Sequence, residues 1–307
     1  MQSMSRPRGA LRSPPSRPRA AIAALVLAVF AAWALPVGVG AEEVRSAPGV
    51  EVPKTAMPAL PVKETVSNED LAKDTQNPVA DLISVPFQNN FNFGVGPENR
   101  MVWNTNFQPV IPVHLSENWN LISRTILHID HVPPLRSGAE SVTGIGDLNP
   151  TLFFSPAKAK HFVWGVGPTM TLPTASDRLL GSGKWSAGPA FVGLFMEGSW
   201  VVGALANHQW SFAGWGDRPV NQLLIQPFVN YNFPSGWYLT SAPIITGNFS
   251  RSSGDHWVLP IGGGGGRVLR VGKLPLNLSL VPYWNVVTPD GGADWQLRFT
   301  FSMLFPE

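Results

Sequence analysis

From Ile83 onward the chain alternates apolar and polar positions with a period of two. Successive side chains of a strand point to opposite faces, so each run reads as a strand with one oily and one wet side. The last run states the pattern most fully: Trp295, Leu297, Phe299, Phe301, Met303 and Phe305 share one face, and Gln296, Arg298, Thr300, Ser302 and Leu304 the other. Earlier runs repeat it. Val85, Phe87, Phe91 and Phe93 oppose Gln88, Asn90 and Asn92, while Trp103, Phe107 and Ile111 oppose Asn104, Asn106 and Gln108. Trp119, Leu121, Leu127 and Ile129 oppose Asn120, Arg124, His128 and Asp130. Rings recur along the apolar face, as on a lipid-facing surface with interfacial aromatics. The expected fold is all-β: a transmembrane antiparallel up-and-down β-barrel of about twelve strands, over residues 81–307. Trp295, Leu297, Phe299, Phe301 and Phe305 are then lipid-facing, and Arg124, His128, Asp130, Asp147, Lys184 and Arg298 face the lumen.

The connections fit closure. Tight links stand at Ser116 to Asn118, Ala157 to Lys160, Glu197-Gly198, Pro234 to Gly236 and Gly272-Lys273. Longer ones alternate with them at Pro97 to Met101, Pro133 to Thr143, Ala175 to Ser182, Ala213 to Pro219, Arg251 to Asp255 and Pro289 to Gly292. Short turns at one end and long loops at the other are the outer-membrane layout. Pro109, Pro150, Pro168, Pro189, Pro227, Pro243 and Pro282 sit within the runs. Proline lacks a ladder donor, so these positions predict bulges, or runs that break into two short strands. Gly262 to Gly266 is an unbroken glycine stretch followed by Arg267-Val268-Leu269, which lacks the Lys-Ser/Thr of a phosphate loop. It reads as a sharp bend, as room for a neighbouring group, or as a weak seam.

The first 41 residues differ in kind. A region with five arginines and no acid leads into the apolar run Ala20 to Leu35, and Val39-Gly40-Ala41 offers a small-residue cleavage site. This is the pattern of a signal peptide. Residues 42–80 carry Pro48, Pro53, Pro58 and Pro61 with mixed charge and no apolar period. They read as a flexible periplasmic segment, with a short helix near Asn68 to Lys73 capped by Asn68.

Composition sharpens the class. Charged residues are only 14% of the chain, against roughly 25% in soluble domains. No apolar run after residue 40 reaches the ~20 residues of a membrane helix. Without the leader arginines the 22 basic side chains fall to 17, against 20 acidic ones, so no nucleic-acid partner is implied. The absence of cysteine excludes disulfides, thiolate metal sites and a thiol nucleophile. The expected location is the bacterial outer membrane. The expected partners are outer-membrane lipid, a small-molecule solute and the outer-membrane assembly machinery.

The inward charges admit two readings, a selectivity lining around a wet lumen or a packed interior in which they pair. His128 and Asp130 lie near Ser123 and Ser141, which raises a serine hydrolase. Ser123 falls on the opposite face, however, and no nucleophile elbow is present. The histidines are scattered and form no metal-site spacing, so no metal and no cofactor are expected.

The final strand resembles the C-terminal strand of outer-membrane barrels, which closes on an aromatic residue; here Pro306 and Glu307 follow Phe305. A more specific resemblance lies in Gly144-Ile145-Gly146-Asp147, Gly165-Val166-Gly167-Pro168, Leu172-Pro173-Thr174-Ala175, Gly181-Ser182-Gly183-Lys184-Trp185 and Gly188-Pro189. With these blocks the chain resembles the bacterial outer-membrane proteins grouped as the MetA-pathway of phenol degradation, often labelled neuromedin U-like or transporter. The resemblance covers roughly residues 80–305. It implies an outer-membrane barrel with a channel or transporter role for small, hydrophobic or aromatic solutes. A closed structural barrel and an outer-membrane lipid hydrolase are the alternatives.

Overall fold

The computed structural model describes residues 67–159, 161–216, 219–251 and 256–306. The signal-peptide reading of residues 1–41 lies outside these, as does the segment 42–66. Among the described residues one helix precedes the strands, α1 (Asn68–Gln76). Ser67 caps it by accepting the Asp70 N–H at 3.0 Å, and Glu69 and Asp70 complement the dipole of its first turn. Asn77-Pro78 ends it, because the residue before proline disfavours the helical region. The helix thus runs three residues beyond the expected Lys73, just under one turn, and its cap is Ser67 rather than Asn68.

Sixteen strand segments form one closed sheet, in which twelve barrel strands are joined antiparallel to their neighbours. They are β1 (Ile83–Val95), β2 (Arg100–Phe107 continued by Val110–His114), β3 (Trp119–Val132) and β4 (Val142–Ile145 continued by Asn149–Pro156). Then come β5 (Phe162–Thr171), β6 (Lys184–Glu197), β7 (Trp200–Gly214) and β8 (Asn221–Asn232). The last four are β9 (Trp237–Ser241 continued by Ile245–Asn248), β10 (Trp257–Gly262 continued by Gly264–Val271), β11 (Leu274–Val287) and β12 (Trp295–Phe305). β12 returns to β1, with Phe301 opposite Phe87 and Arg298 opposite Asn90. This closure leaves no sheet edge, as a bilayer requires.

The alternation resolves as inside-out. Phe191, Phe195, Trp200, Phe212 and Ile261 are all at least half exposed on the outer surface, while Asn90, Thr169, Ser186, Asn230 and Asn232 are buried. An apolar surface this extensive is untenable in water and stable in lipid. Aromatic pairs ring both rims. Phe93 stacks on Trp295 at 4.1 Å at the long-loop end, and Trp119–Trp164, Phe162–Phe195 and Trp200–Tyr231 meet at the short-turn end. Phe299 and Phe305 are exposed on the outer face, and Trp295, Leu297 and Phe301 share that face half-buried. One link differs from its expected length: β1 and β2 are joined at the long-loop end by a tight turn over 96–99, with Asn99 at φ 52°.

The prolines have two fates. β2 breaks at Gln108-Pro109 and β9 at Ala242 to Ile244, which includes Pro243. Pro168, Pro189, Pro227 and Pro282 stay within continuous strands. Between β9 and β10 the ladder is interrupted: Thr240 pairs with Gly264 and Thr246 with Val258, with no pairs between them among the described residues. The freed groups find partners elsewhere. Ser241 Oγ donates to the Gly262 carbonyl at 2.6 Å, and the Ala242 N–H donates to the Tyr283 hydroxyl at 3.1 Å. The glycine stretch interrupts β10 at Gly263 and makes room for its neighbours. A Cβ at Gly264 would lie 2.1 Å from the Leu280 carbonyl, and one at Gly266 would meet the Tyr238 ring at 2.3 Å.

Candidate functional site in the barrel lumen

Residues 67–82 occupy the short-turn end of the barrel. Leu71, Ala72, Ala80 and Leu82 are buried against Tyr238 of β9, Val268 of β10 and Leu304 of β12. Val79 joins a second cluster with Ile122, Phe153, Val163, Val192, Leu194, Val201, Leu205 and Phe228, which lie on β3 to β8. The segment therefore packs against opposite walls at once. Gln76 and Asn232 exchange two amide hydrogen bonds, at 2.8 and 3.0 Å, and Arg270 Nε donates to Asn68 Oδ1 at 3.2 Å. Residues 67–80, read from sequence as weakly ordered, are thus a helix and a packed strap that fill one end of the lumen. The signal was faint because the apolar residues serving this purpose, Leu71, Ala72, Val79 and Leu82, are few and short of a full amphipathic stripe.

Above this packing lies a cavity of about 220 Å³. Asp74 to Pro78 border it from the helix end, and Gln88, Gln108, Arg124, Gln226, Asn230, Tyr283, Arg298 and Thr300 are among the wall residues. The polar wall is organised as a girdle of hydrogen bonds across neighbouring strands. Arg298 Nε donates to Asn90 Oδ1 at 3.2 Å, Asn90 Nδ2 donates to Asn104 Oδ1 at 3.0 Å, and Asn104 Nδ2 donates to Asp130. One level away, Arg124 Nη2 donates to Gln108 Oε1 at 2.8 Å, and His128 Nδ1 pairs with Asn106 Oδ1 at 2.8 Å. Arg298 also donates through Nη1 to the Ala242 carbonyl at 2.9 Å, and its guanidinium lies 4.6 Å from the Tyr283 ring centre. Tyr283 and Arg298 together serve both backbone groups of Ala242 at the break between β9 and β10.

At the long-loop end, the loop over 172–183 lies on the inner face of β4. A Cβ at Gly144 would collide with Ser176 Oγ, and one at Gly146 would crowd Asp130, His128 and the Leu180 carbonyl. Asp147 anchors the loop. Its Oδ2 accepts the Ser182 N–H at 2.7 Å and the Ser182 hydroxyl at 2.9 Å, and its Oδ1 accepts the Ala175 N–H at 3.2 Å. Thr174 Oγ1 accepts the Leu148 N–H, and Ser176 Oγ accepts the Ile145 N–H. The blocks Gly144 to Asp147, Leu172 to Ala175 and Gly181 to Lys184 are therefore the two sides of one contact.

The six charges expected in the lumen separate by task. Arg124 and Arg298 line the cavity. His128 and Asp130 belong to the girdle beside it, Asp147 holds the loop, and Lys184 donates through Nζ to the Gly216 carbonyl at the long-loop rim. The hydrolase constellation is not assembled: His128 and Asp130 bond to asparagines, and Ser123 pairs with the exposed, outward Ile111. Among the described residues no cluster of three metal-ligating side chains occurs. Tyr238 and Tyr283 are buried residues of the lumen wall that no sequence motif marks.

No family model and no curated protein matches the chain. Among solved structures it is similar to the COG4313 outer membrane channel from Pseudomonas putida F1, with a TM-score of 0.55 and 15% identity over 73% of this chain and 94% of that one. It also aligns with outer membrane phospholipase A from Escherichia coli, with a TM-score of 0.36 and 12% identity over 73% and 96% of the two chains. With LpxR from Salmonella typhimurium the TM-score is 0.40 and the identity 7%, over 72% and 100%. The first likeness concerns the fold; the other two are too distant to inform it. The resemblance to the phenol-degradation family rests on its motif residues alone.

Proposed function

We propose that the chain is an outer-membrane channel for small solutes. The observation that carries this reading is the polar cavity at mid-lumen, enclosed by a barrel whose outer face is apolar. Side chains such as Gln88, Gln226, Thr240 and Thr300 have no packing reason to be polar in a closed interior, whereas a solute path needs them. The name of the Pseudomonas putida neighbour, an outer membrane channel, supports the same reading. The motif resemblance adds hydrophobic or aromatic molecules as the solute class. In this reading residues 1–41 direct export, the segment before the barrel lies in the periplasm, and the partners are membrane lipid, the barrel-assembly machinery and the solute.

A second reading has one observation of its own. The packed clusters around α1 and Val79 favour a structural barrel with a closed lumen. Single-channel recording of the full-length protein in a planar bilayer separates the two. Discrete conductance steps that disappear without protein support the channel. A folded barrel that inserts and passes no current, also after loss of α1 packing, overturns it.

A further inference from the structure

Two arginines point into the mid-lumen cavity, and neither has a carboxylate within 4.0 Å among the described residues. Arg298 is only 6% exposed, and its three bonds go to Asn90, the Ala242 carbonyl and Gln296, all neutral acceptors. Arg124 is half-buried and has one bond, to the neutral Gln108. The acids of the strands are engaged elsewhere, Asp130 on Asn104 and Asp147 on the 172–183 loop. Among the described residues the one carboxylate lining the cavity is Asp74, which comes from α1 at its floor. Burying a guanidinium without an anion is costly, and the cost is relieved when an anion arrives. Arginine also presents paired donors matched to a carboxylate. Of the five N–H donors of each guanidinium, Arg124 leaves most unengaged.

The same cavity carries an apolar portion. Leu205, Phe228 and Val281 line it alongside the arginines. Its volume of about 220 Å³ is below the roughly 300–1,000 Å³ of drug-sized sites, which limits the occupant to a short chain or single ring.

We propose that the mid-lumen cavity binds a small organic carboxylate, its head group held by Arg124 and Arg298 and its apolar body against Leu205, Phe228 and Val281. The inference rests on the channel reading in that the site lies on the solute's path, and it narrows the solute class to monoanions with an apolar tail. A fixed positive charge at this level also favours anions over cations in transit.

Calorimetric titration of the full-length protein in detergent tests the site without reference to conductance. The probes are hexanoate, its neutral analogue hexanamide, and acetate, which keeps the charge and loses the tail. Saturable hexanoate binding is expected, at least tenfold tighter than that of either analogue. Arg124→Gln should weaken hexanoate at least tenfold and leave hexanamide unchanged. Arg298→Lys, which keeps the charge, should weaken it less than Arg298→Gln. Among the described residues the hydrogen bond of the Arg124 side chain goes to another side chain, Gln108, so its variant decides the matter where the Arg298 variants fail to fold. Equal binding of hexanoate and hexanamide, no binding of hexanoate, or hexanoate binding unaffected by Arg124→Gln overturns the proposal. Binding without conductance in bilayers would remove the channel reading and keep the site; conductance without binding would do the reverse.

Discussion

Leu71→Ala is the sharpest test of whether the helix governs the lumen. Leu71 is fully buried among Ala72, Ala80, Leu82, Tyr238, Val268 and Leu304. Truncating a buried leucine costs about 2–5 kcal/mol, more where neighbours cannot close the gap. Three of those neighbours stand on barrel strands fixed by their ladders, so the cost belongs in the upper part of that range. It falls on the docked state of α1 and not on the strand pairs. A loss of even about 3 kcal/mol raises the undocked population about a hundredfold. Single-channel recording should then show a higher open probability and a larger conductance, with barrel melting by circular dichroism nearly unchanged. Leu239→Ala is the control, because Leu239 adjoins Tyr238 on β9 but faces outward at 47% exposure. It should change neither quantity. A folded Leu71→Ala protein with wild-type conductance and open probability refutes the idea that α1 closes this end.

Four further outcomes follow from the geometry. Phe299→Arg should destabilise the barrel by about 2–4 kcal/mol in lipid refolding, whereas Thr300→Arg, which faces the cavity, should cost far less; equal costs would reverse the parity. Asp74, on the helix and not on a spanning strand, is pushed up from 3.8 to about 6 by burial and by the neighbouring Asp70 and Asp81. The docked helix favours the protonated form, so docking is firmest below pH 3.8 and weakens as pH rises through about 6. Asp74→Asn should therefore strengthen docking at pH 8 by at most about 3 kcal/mol and flatten the pH dependence of open probability across roughly pH 4 to 6, the window between those two values. Asp147→Ala should free the 172–183 loop, raising amide exchange at Ala175 and Ser182 by a factor consistent with about 1.5–3 kcal/mol per lost charge-assisted bond; unchanged exchange would show another anchor. An epitope tag at Gly138 should react with antibody on intact cells and one at Ser235 should not, and the opposite result would invert the orientation.

The barrel was readable because its two solvents differ so sharply. Lipid outside and a polar girdle inside write a period of two into nearly every strand, and Trp295 to Phe305 alone nearly suffices to see it. Where the interior itself is apolar the code weakens. Ile122, Leu194 and Leu304 face inward on the polar parity because they meet the packed segment, and nothing local distinguishes them from exceptions. Parity marked six charges for the inner face, but what each touches depends on partners far off in sequence, such as Ser182 for Asp147 and Ala242 for Arg298. Parity gives a residue's side of the wall and not its height or its neighbour. The glycine stretch was legible as special, while its reason, the approach of Leu280 and Tyr238 from adjoining strands, required the fold.

The packed segment at the short-turn end also sets an order of events. α1 and the strap to Leu82 are the first described part of the chain, yet they are buried by residues from β3 through to Leu304 near the last residue. Their binding surface does not exist until β12 has found β1. A piece made before any strand must therefore be the last to settle, waiting undocked while the strands assemble around the space it will take. Its docking is a late, separable step whose contacts span almost the whole sequence, and such contacts form slowly. A barrel caught before that step would already be closed as a sheet and still open at its short-turn end.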